Sequence, residues 1–361
     1  MSSNLMCQSS IVTNPGSSDV DVEVSDHSQL PSAPIVSVSM ITYQHASFIK
    51  EALDSVLMQK VDCPYEICLG EDGSTDGTRE ICLEYARKHP DKIRLFLRSR
   101  TNPSRKSTKS FGRHNTASTF AACRGKYIAL LEGDDYWLSP NKLQVQINTL
   151  ESDPDLAACC HYVANMQNER PWEASIAPTM PVDMFSVESI LRRDVANLHT
   201  STWLLRRGKP MQWEGFRSSL FGDYPLFVWT LLQGKARVLP RIWSMYRMHS
   251  KGGFSPLSPE VRWRENVELW KCLKSIVPPE LQSALSIGMS RTLTMHTNSL
   301  VKAGKYRLAL GVLRENLSGI ARMDCPAKER NRLRLLAIES TIIPHLAGLR
   351  RRWSERRLNR S

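Results

Sequence analysis

The feature that most constrains this chain is a repeated alternation of short β-branched runs with amphipathic helical segments. "IVSVSMITY" (35–43) is apolar and β-branched, is preceded by Pro31 and Pro34, and predicts a buried strand. "SFIKEALDSVLMQ" (47–59) follows, with Phe48, Ile49, Ala52, Leu53, Val56 and Leu57 on one helical face. The pair recurs as "YEICLG" (65–70) with "GTREICLEYARKH" (77–89), and as "IRLFLRS" (93–99) with "TASTFAACRG" (116–125). "KYIALLEG" (126–133) is a fourth strand. Strands that alternate with helices in this way predict an α/β fold, a mostly parallel sheet with helices on both faces.

"LAACCHYV" (156–163) is predicted to rejoin the sheet, the pattern is mixed from 164 to about 255, and helix dominates from about 258 onward. Breaks in that helical region fall near 277–279 and 303–305. Residues 1–33 are rich in Ser, Asp and Val and read as a disordered tail. Three segments result: 1–33, an α/β domain over 34–255, and a helical C-terminal region over 256–361 with a basic end.

Composition narrows the functional classes. The net charge of +12 and pI near 9.4 favour anionic partners. No helix-turn-helix, zinc finger or aromatic stacking platform accompanies the charge, so nucleic acid is not an expected partner. The nine cysteines show no zinc spacing and read as free thiols in a reducing compartment. There is no basic-then-apolar leader and no run near the ~20 apolar residues that cross a bilayer. The expected location is cytoplasmic, soluble or peripheral on the inner face of the membrane.

Four short stretches carry chemistry. "CLGEDGSTDGTRE" (68–80) places Glu71 and Asp72 at a strand end. Its Asp-x-Ser-x-Asp-Gly start resembles a calcium loop, but the twelfth position, which needs a bidentate acid, is Leu83. The glycines do not fit a dinucleotide fingerprint either. The residues alone leave open a nucleotide pocket or a plain strand-to-helix turn. "LLEGDDYW" (130–137) puts Asp134 and Asp135 at another strand end, either as a solvated turn or as a divalent-cation site. In "FGDYPLFVW" (221–229), Asp223 is either a helix cap or a general base. In "YRMHSKGGF" (246–254), His249 precedes a basic Gly-Gly loop, either as a structural histidine or at a phosphate-closing loop.

In order and spacing these motifs resemble the family 2 glycosyltransferases of the GT-A fold, over roughly residues 34 to 255. "VSVSMITYQ" is similar to that family's first strand, "EDGSTDG" to its nucleotide loop, and "GKYIALLEGDDYW" to its metal-binding strand end. "GDYPLFVW" resembles the segment that carries its catalytic base, and "YRMHSKGG" its late loop. The resemblance implies that Thr42 and Tyr43 line the nucleobase, that Glu71 contacts it with Asp72 alongside, and that Asp134 approaches the ribose or metal shell. It implies that Asp135 ligates Mg2+ or Mn2+, that His249 touches the metal or diphosphate, and that Asp223 is the base. Arg113 and Asn115 lie where a basic loop meets the donor. Ile41, Gln44 and Glu71 stand where the family often has Pro, Asn and Asp.

The implied activity is inverting transfer of a sugar from a nucleotide-diphosphate sugar, a UDP-sugar in the first instance, to a hydroxyl of a glycan or lipid-linked acceptor. Surface polysaccharide or glycoconjugate synthesis is the setting it implies. A non-catalytic nucleotide-sugar-binding protein and a sugar nucleotidyltransferase are the alternatives. The cluster of Arg350, Arg351, Arg352, Arg356, Arg357 and Arg360 follows an apolar stretch and is either a solvated tail or a contact with anionic lipid.

Overall fold

The computed structural model describes residues 21–102, 111–167, 170–171, 183–195, 199–210, 223–249, 258–322, 327 and 331. The first half holds β1 (Val22–Val24), β2 (Val36–Thr42), α1 (Ile49–Leu57), β3 (Tyr65–Glu71), α2 (Thr78–Lys88), β4 (Ile93–Leu97), α3 (Phe111–Ala122), β5 (Tyr127–Glu132), β6 (Tyr136–Trp137) and α4 (Lys142–Glu151). Then come β7 (Leu156–Gln167), β8 (Arg170–Pro171), β9 (Met184–Phe185), α5 (Val187–Leu191), β10 (Leu204–Arg206), α6 (Asp223–Leu231) and β11 (Lys235–Met248). The chain continues through α7 (Pro259–Ile276), α8 (Gln282–Lys302) and α9 (Tyr306–Arg322), with breaks where the sequence predicts them.

The described strands form one sheet in the order β1-β4-β3-β2-β5-β10-β7-β11-β6, with β8 on β7 and β9 on β11. The block β4-β3-β2-β5 is parallel, whereas β10 runs antiparallel to β5 and β7. This is the α/β architecture with a helical C-terminal region that the sequence implies.

Side-chain alternation sorts the sheet into two cores. Val36, Val38, Met40, Ile67 and Leu69 pack with Ile49, Leu53 and Leu143 of α1 and α4 on one face. Cys68, Ile128 and Leu130 pack with Phe227 of α6 and Leu273 of α7 on the other. A small third core between α8 and α9 contains Leu293, Leu300 and Leu313. All described cysteines are free thiols. None of the described helices is long and apolar enough to cross a membrane.

The expected disordered tail is corrected in its last third. Val22–Val24 pair antiparallel with β4, Val22 opposite Leu97 and Val24 opposite Leu95. The physical reason is the period-2 pattern "VDVEV" (20–24), which suits an edge strand despite the polar surroundings. The rest of the expected tail, residues 1–20, lies outside the described residues, as do the basic C-terminal arginines.

Candidate active site

The parallel register brings two of the acidic motifs together. Glu71 at the end of β3 is opposite Thr42 at the end of β2, and Ile41 is opposite Glu132 at the end of β5. Ligands of open α/β sheets bind along this edge, at the carboxyl ends of the strands.

On the β3 side, Gly73 (φ 77°) and Gly77 (φ 99°) let the chain turn in left-handed conformations. Glu71 is fully buried, and its carboxylate accepts from Ser74 N at 2.6 Å and Arg79 Nε at 2.5 Å. It therefore supports the loop from behind. Asp72 accepts from Arg100, Nε to its carbonyl at 2.9 Å and Nη2 to Oδ2 at 3.0 Å. The Arg100 guanidinium in turn lies 3.3 Å from the centroid of the Tyr43 ring, a cation–π stack. Tyr43, Asp72 and Arg100 make one wall.

The remaining residues of that loop hold its neighbour. Ser74 Oγ accepts from Gln44 N at 3.0 Å, Thr78 Oγ1 from His45 N at 2.8 Å, and Asp76 Oδ2 from Ala46 N at 3.1 Å. Asp76 is thus committed to the N–H groups of Ala46 and Thr78 and to the Thr78 hydroxyl. These bonds set His45, whose Nε2 faces Asp134 Oδ2 at 3.6 Å and whose Nδ1 is 3.3 Å from Thr42 Oγ1. Thr42 itself is 2% exposed and packed against Gly133, so it buttresses the site from below.

At the β5 end the two aspartates diverge. Asp134 Oδ2 lies 3.1 Å from Nε2 of His249, whose ring packs on Phe48 at 4.9 Å between centroids. Asp135 is 1% exposed and accepts from Arg247 N at 2.9 Å. Burial and the neighbouring Asp134 and Glu132 push the Asp135 carboxyl well above its ordinary range. Burial also raises Asp134, but the His249 hydrogen bond and the charge of His45 and His249 win and hold it low. His249 thus meets Asp134 in the cleft, and Asp135 serves the turn behind it.

Glu132 completes the acidic group. Burial pushes it up to about 8, opposed by a Thr200 hydrogen bond and reinforced by the charges of Asp134 and Asp223. The Thr200 Oγ1 donates to Glu132 Oε2 at 2.7 Å. That electrostatic coupling puts Asp223, at the start of α6, in the same neighbourhood. Burial raises the Asp223 carboxyl against a main-chain bond from Tyr224. His199 Nδ1 lies 3.8 Å from Asp135 Oδ2, and burial holds this ring neutral, with its pKa down near 4.

Two expected donor residues are placed elsewhere. Asn115 is 2% exposed and donates to Gly70 O at 2.8 Å, fastening α3 to β3. Arg113 is 8% exposed, and the acid nearest it in effect is Glu265 on α7. Helix α3 begins at Phe111, earlier than the sequence predicts, so both residues belong to the helix and not to the preceding loop.

Sequence reasoning missed Arg100, His45, Arg247, Glu132, His199 and Thr200. Arg100 was one of several arginines in a basic loop, and His45 a lone histidine beside a strand end. Glu132 carried a signal, being the first acid of "EGDD". "HTSTW" (199–203) carried none until the fold returned it to β5.

No group of three or more His, Cys, Asp or Glu among the described residues is arranged as a metal cage. Mg2+ and Mn2+ characteristically take one or two carboxylates together with substrate phosphates. Asp134 with His249 fits that chemistry, and the buried His249 Nδ1 meets no hydrogen-bond partner among the described residues.

Comparison with known proteins agrees with this architecture. Residues 37–209 match the model of glycosyl transferase family 2. A Mycobacterium tuberculosis protein of undescribed function is 32% identical over 218 residues, 60% of this chain and 60% of that protein. The hyaluronan synthase of Pasteurella multocida is 29% identical over 219 residues, 60% of this chain and 21% of that one. The match thus spans about 60% of the length of the mycobacterial relatives. Among solved structures, S. aureus TarS 1–349 in complex with UDP-GlcNAc superposes with TM-score 0.59 at 16% identity, covering 84% of this chain and 88% of that one. Residues 37–209 thus form a region that matches glycosyl transferase family 2, on a scaffold with the GT-A fold.

Proposed function

We propose that the protein is an inverting glycosyltransferase that moves a sugar from a nucleotide-diphosphate sugar to a hydroxyl of a glycan or lipid-linked acceptor. The observation that carries this reading is the convergence, at one sheet edge, of the Tyr43–Asp72–Arg100 wall, the Asp134–His249 pair and the raised carboxyl of Asp223.

Tyr43 and Arg100 give the nucleoside a flat, cationic platform, and Asp72 an acceptor for a base or ribose hydrogen. Asp134 and His249 would hold Mg2+ or Mn2+ beside the diphosphate, with His45 orienting Asp134. Bound there, the cation would neutralise charge on the diphosphate. Asp223 takes the proton of the acceptor hydroxyl as its oxygen attacks the anomeric carbon. The bond from that carbon to the diphosphate oxygen breaks on the opposite face, and the nucleoside diphosphate leaves. General-base assistance of this kind contributes about 10²–10⁴-fold.

TarS binds UDP-GlcNAc in its structure, so UDP-sugars are the first donors to examine. The relationship to a hyaluronan synthase supports an acceptor in polysaccharide assembly. The arginine-rich end fits a peripheral contact with anionic lipid. A thermal-shift screen of nucleotide sugars with Mn2+, followed by donor turnover with glycan acceptors, tests the proposal. Stabilisation by a nucleotide sugar together with sugar transfer is expected. A protein that binds no nucleotide sugar and consumes none would refute it.

A further inference from the structure

The nucleoside wall is fastened from outside the matched family domain. Arg100 sits in the segment that follows β4, and strand β1 lies alongside β4. Asp21, the residue just before β1, reaches that segment directly. Its Oδ1 accepts from Ser99 N at 3.0 Å and from Asn102 Nδ2 at 3.4 Å. Its Oδ2 faces His114 Nε2 at 2.7 Å and Arg98 Nη1 at 3.4 Å. One carboxylate therefore gathers the residues on both sides of Arg100 and ties them to the first turns of α3.

Charge bookkeeping agrees with the geometry. Burial raises the Asp21 carboxyl, but Ser99 N–H, His114, Asn102 and Arg98 together bring it below its ordinary value. On the inner side the same segment is joined to the site: Arg98 N donates to Glu71 O at 2.8 Å, and Arg79 donates to Arg98 O at 2.8 Å. Arg100 is held between these two anchors, with its guanidinium on Tyr43 and Asp72. The neighbouring acid of the strap has a different task. Glu23 makes two bonds to Arg94, at 2.9 and 3.2 Å, and Arg94 holds Ala122 O at the far end of α3. Glu23 secures the strand, whereas Asp21 secures the loop.

We infer that Asp21 is a positioning residue for the donor site: the N-terminal strap sets nucleoside affinity by fixing Arg100 against Tyr43 and Asp72. This rests on the nucleoside-wall reading above. Arginine loses side-chain entropy when it is immobilised, so an Arg100 already held in place binds its ligand at less entropic cost. Without Asp21 the loop has to be ordered at the moment of binding.

The experiment is calorimetric titration of UDP and GDP, in Mg2+, into the full chain and four variants, with Tm measured for each. Arg100→Ala should weaken nucleotide binding strongly. Asp21→Ala should weaken it on the order of 10-fold through loss of charge-assisted bonds to the loop. Asp21→Asn, which keeps an acceptor for Ser99 N–H, should fall between Asp21→Ala and the unmodified chain. Glu23→Gln should lower Tm while leaving nucleotide affinity unchanged. If the unmodified chain binds neither UDP nor GDP, the wall reading fails and the inference falls with it. If Arg100→Ala weakens binding but Asp21→Ala does not, the inference alone fails. It also fails if Glu23→Gln weakens binding as much as Asp21→Ala, because the strap would then act only through general stability.

Discussion

The main-chain N–H of Arg247 donates to Asp135 Oδ1 at 2.9 Å, across 112 residues of chain. Its side chain donates to Asp134 O at 2.7 Å, pairs with Glu51 of α1, and covers the Tyr136 ring at 4.4 Å. The acidic turn after β5 is therefore held by the far end of β11, and the two adjacent aspartates have unlike surroundings. One is buried as an acceptor for backbone. The other opens to His249 and His45.

This relationship separates the two residues experimentally. Asp135→Asn keeps an oxygen for the Arg247 N–H and replaces a carboxyl that burial makes hard to ionise, so the fold and Mn2+-dependent donor binding should be largely retained. Asp134→Asn should weaken Mn2+-dependent donor binding by 10-fold or more, on the order expected when a metal ligand or its direct support is lost. Titration of Mn2+ against donor binding in the two variants decides. The reverse ranking would return the ligand role to Asp135.

Asp223 gives a prediction in pH. As a base it works only when ionised, and burial raises its pKa above the ordinary carboxylate value. Turnover should therefore fall as pH drops through that raised pKa, and level off above it. Asp223→Asn should lose about 10²–10⁴-fold in kcat, with nucleotide affinity nearly intact. The acidic limb of the rate profile should vanish in whatever residual activity remains. A variant with normal kcat would remove Asp223 from the chemistry.

How far the sequence reveals this site follows from the range of each interaction. The alternation of strand and helix is a local period, so β2 to β5 and their helices are readable from it. Once the sheet is parallel, Glu71 and Asp134 must share an edge, because Thr42 and Ile41 bridge them in register. The division of labour between Asp134 and Asp135 is not readable. It is made by Arg247, a residue of another strand that arrives only when β11 has crossed the molecule. Arg100 is hidden for a similar reason, since nothing in "RSRTNPSRK" (98–106) says which arginine folds back onto Tyr43. The strand at Val22–Val24 was readable in principle, but a period of two over five residues is a weak signal inside a polar tail.

The bond from Thr200 to Glu132 is testable as a coupled pair. The turn at Thr200–Thr202 is pinned by Gln146 Nε2 to Thr202 O at 2.9 Å and by Trp137 Nε1 to Ser201 O at 2.9 Å. Its backbone should thus survive a side-chain change at Thr200. Thr200→Val leaves Glu132 without that donor and should cost about 1–3 kcal/mol. In the double variant with Glu132→Met, which removes the acceptor, the two losses should not add, with a coupling of about 0.5–3 kcal/mol. Chemical denaturation of the four proteins measures it. Strict additivity would mean that the bond contributes nothing.

Lys142 supplies the last test, and it concerns stability. The residue is 0% exposed, its Nζ donates to Gln146 Oε1 at 2.8 Å, and it lies 4.0 Å from the Trp137 ring centroid. Burial brings its pKa down from 10.5 to about 7. Between these two values the unfolded chain keeps the proton that the folded chain releases. Unfolding then takes up protons, so stability rises with pH across this window, by at most about 1.4 kcal/mol per pH unit. Below about pH 7 both states are protonated, and the contribution is flat. Lys142→Met keeps the bulk and removes the titration. Its stability relative to the unmodified chain should therefore be greatest near pH 7 and decline steadily toward pH 10. Denaturation of both proteins across that range reads the difference directly. Parallel curves would mean that Lys142 reaches solvent or a counter-charge and carries no depressed pKa.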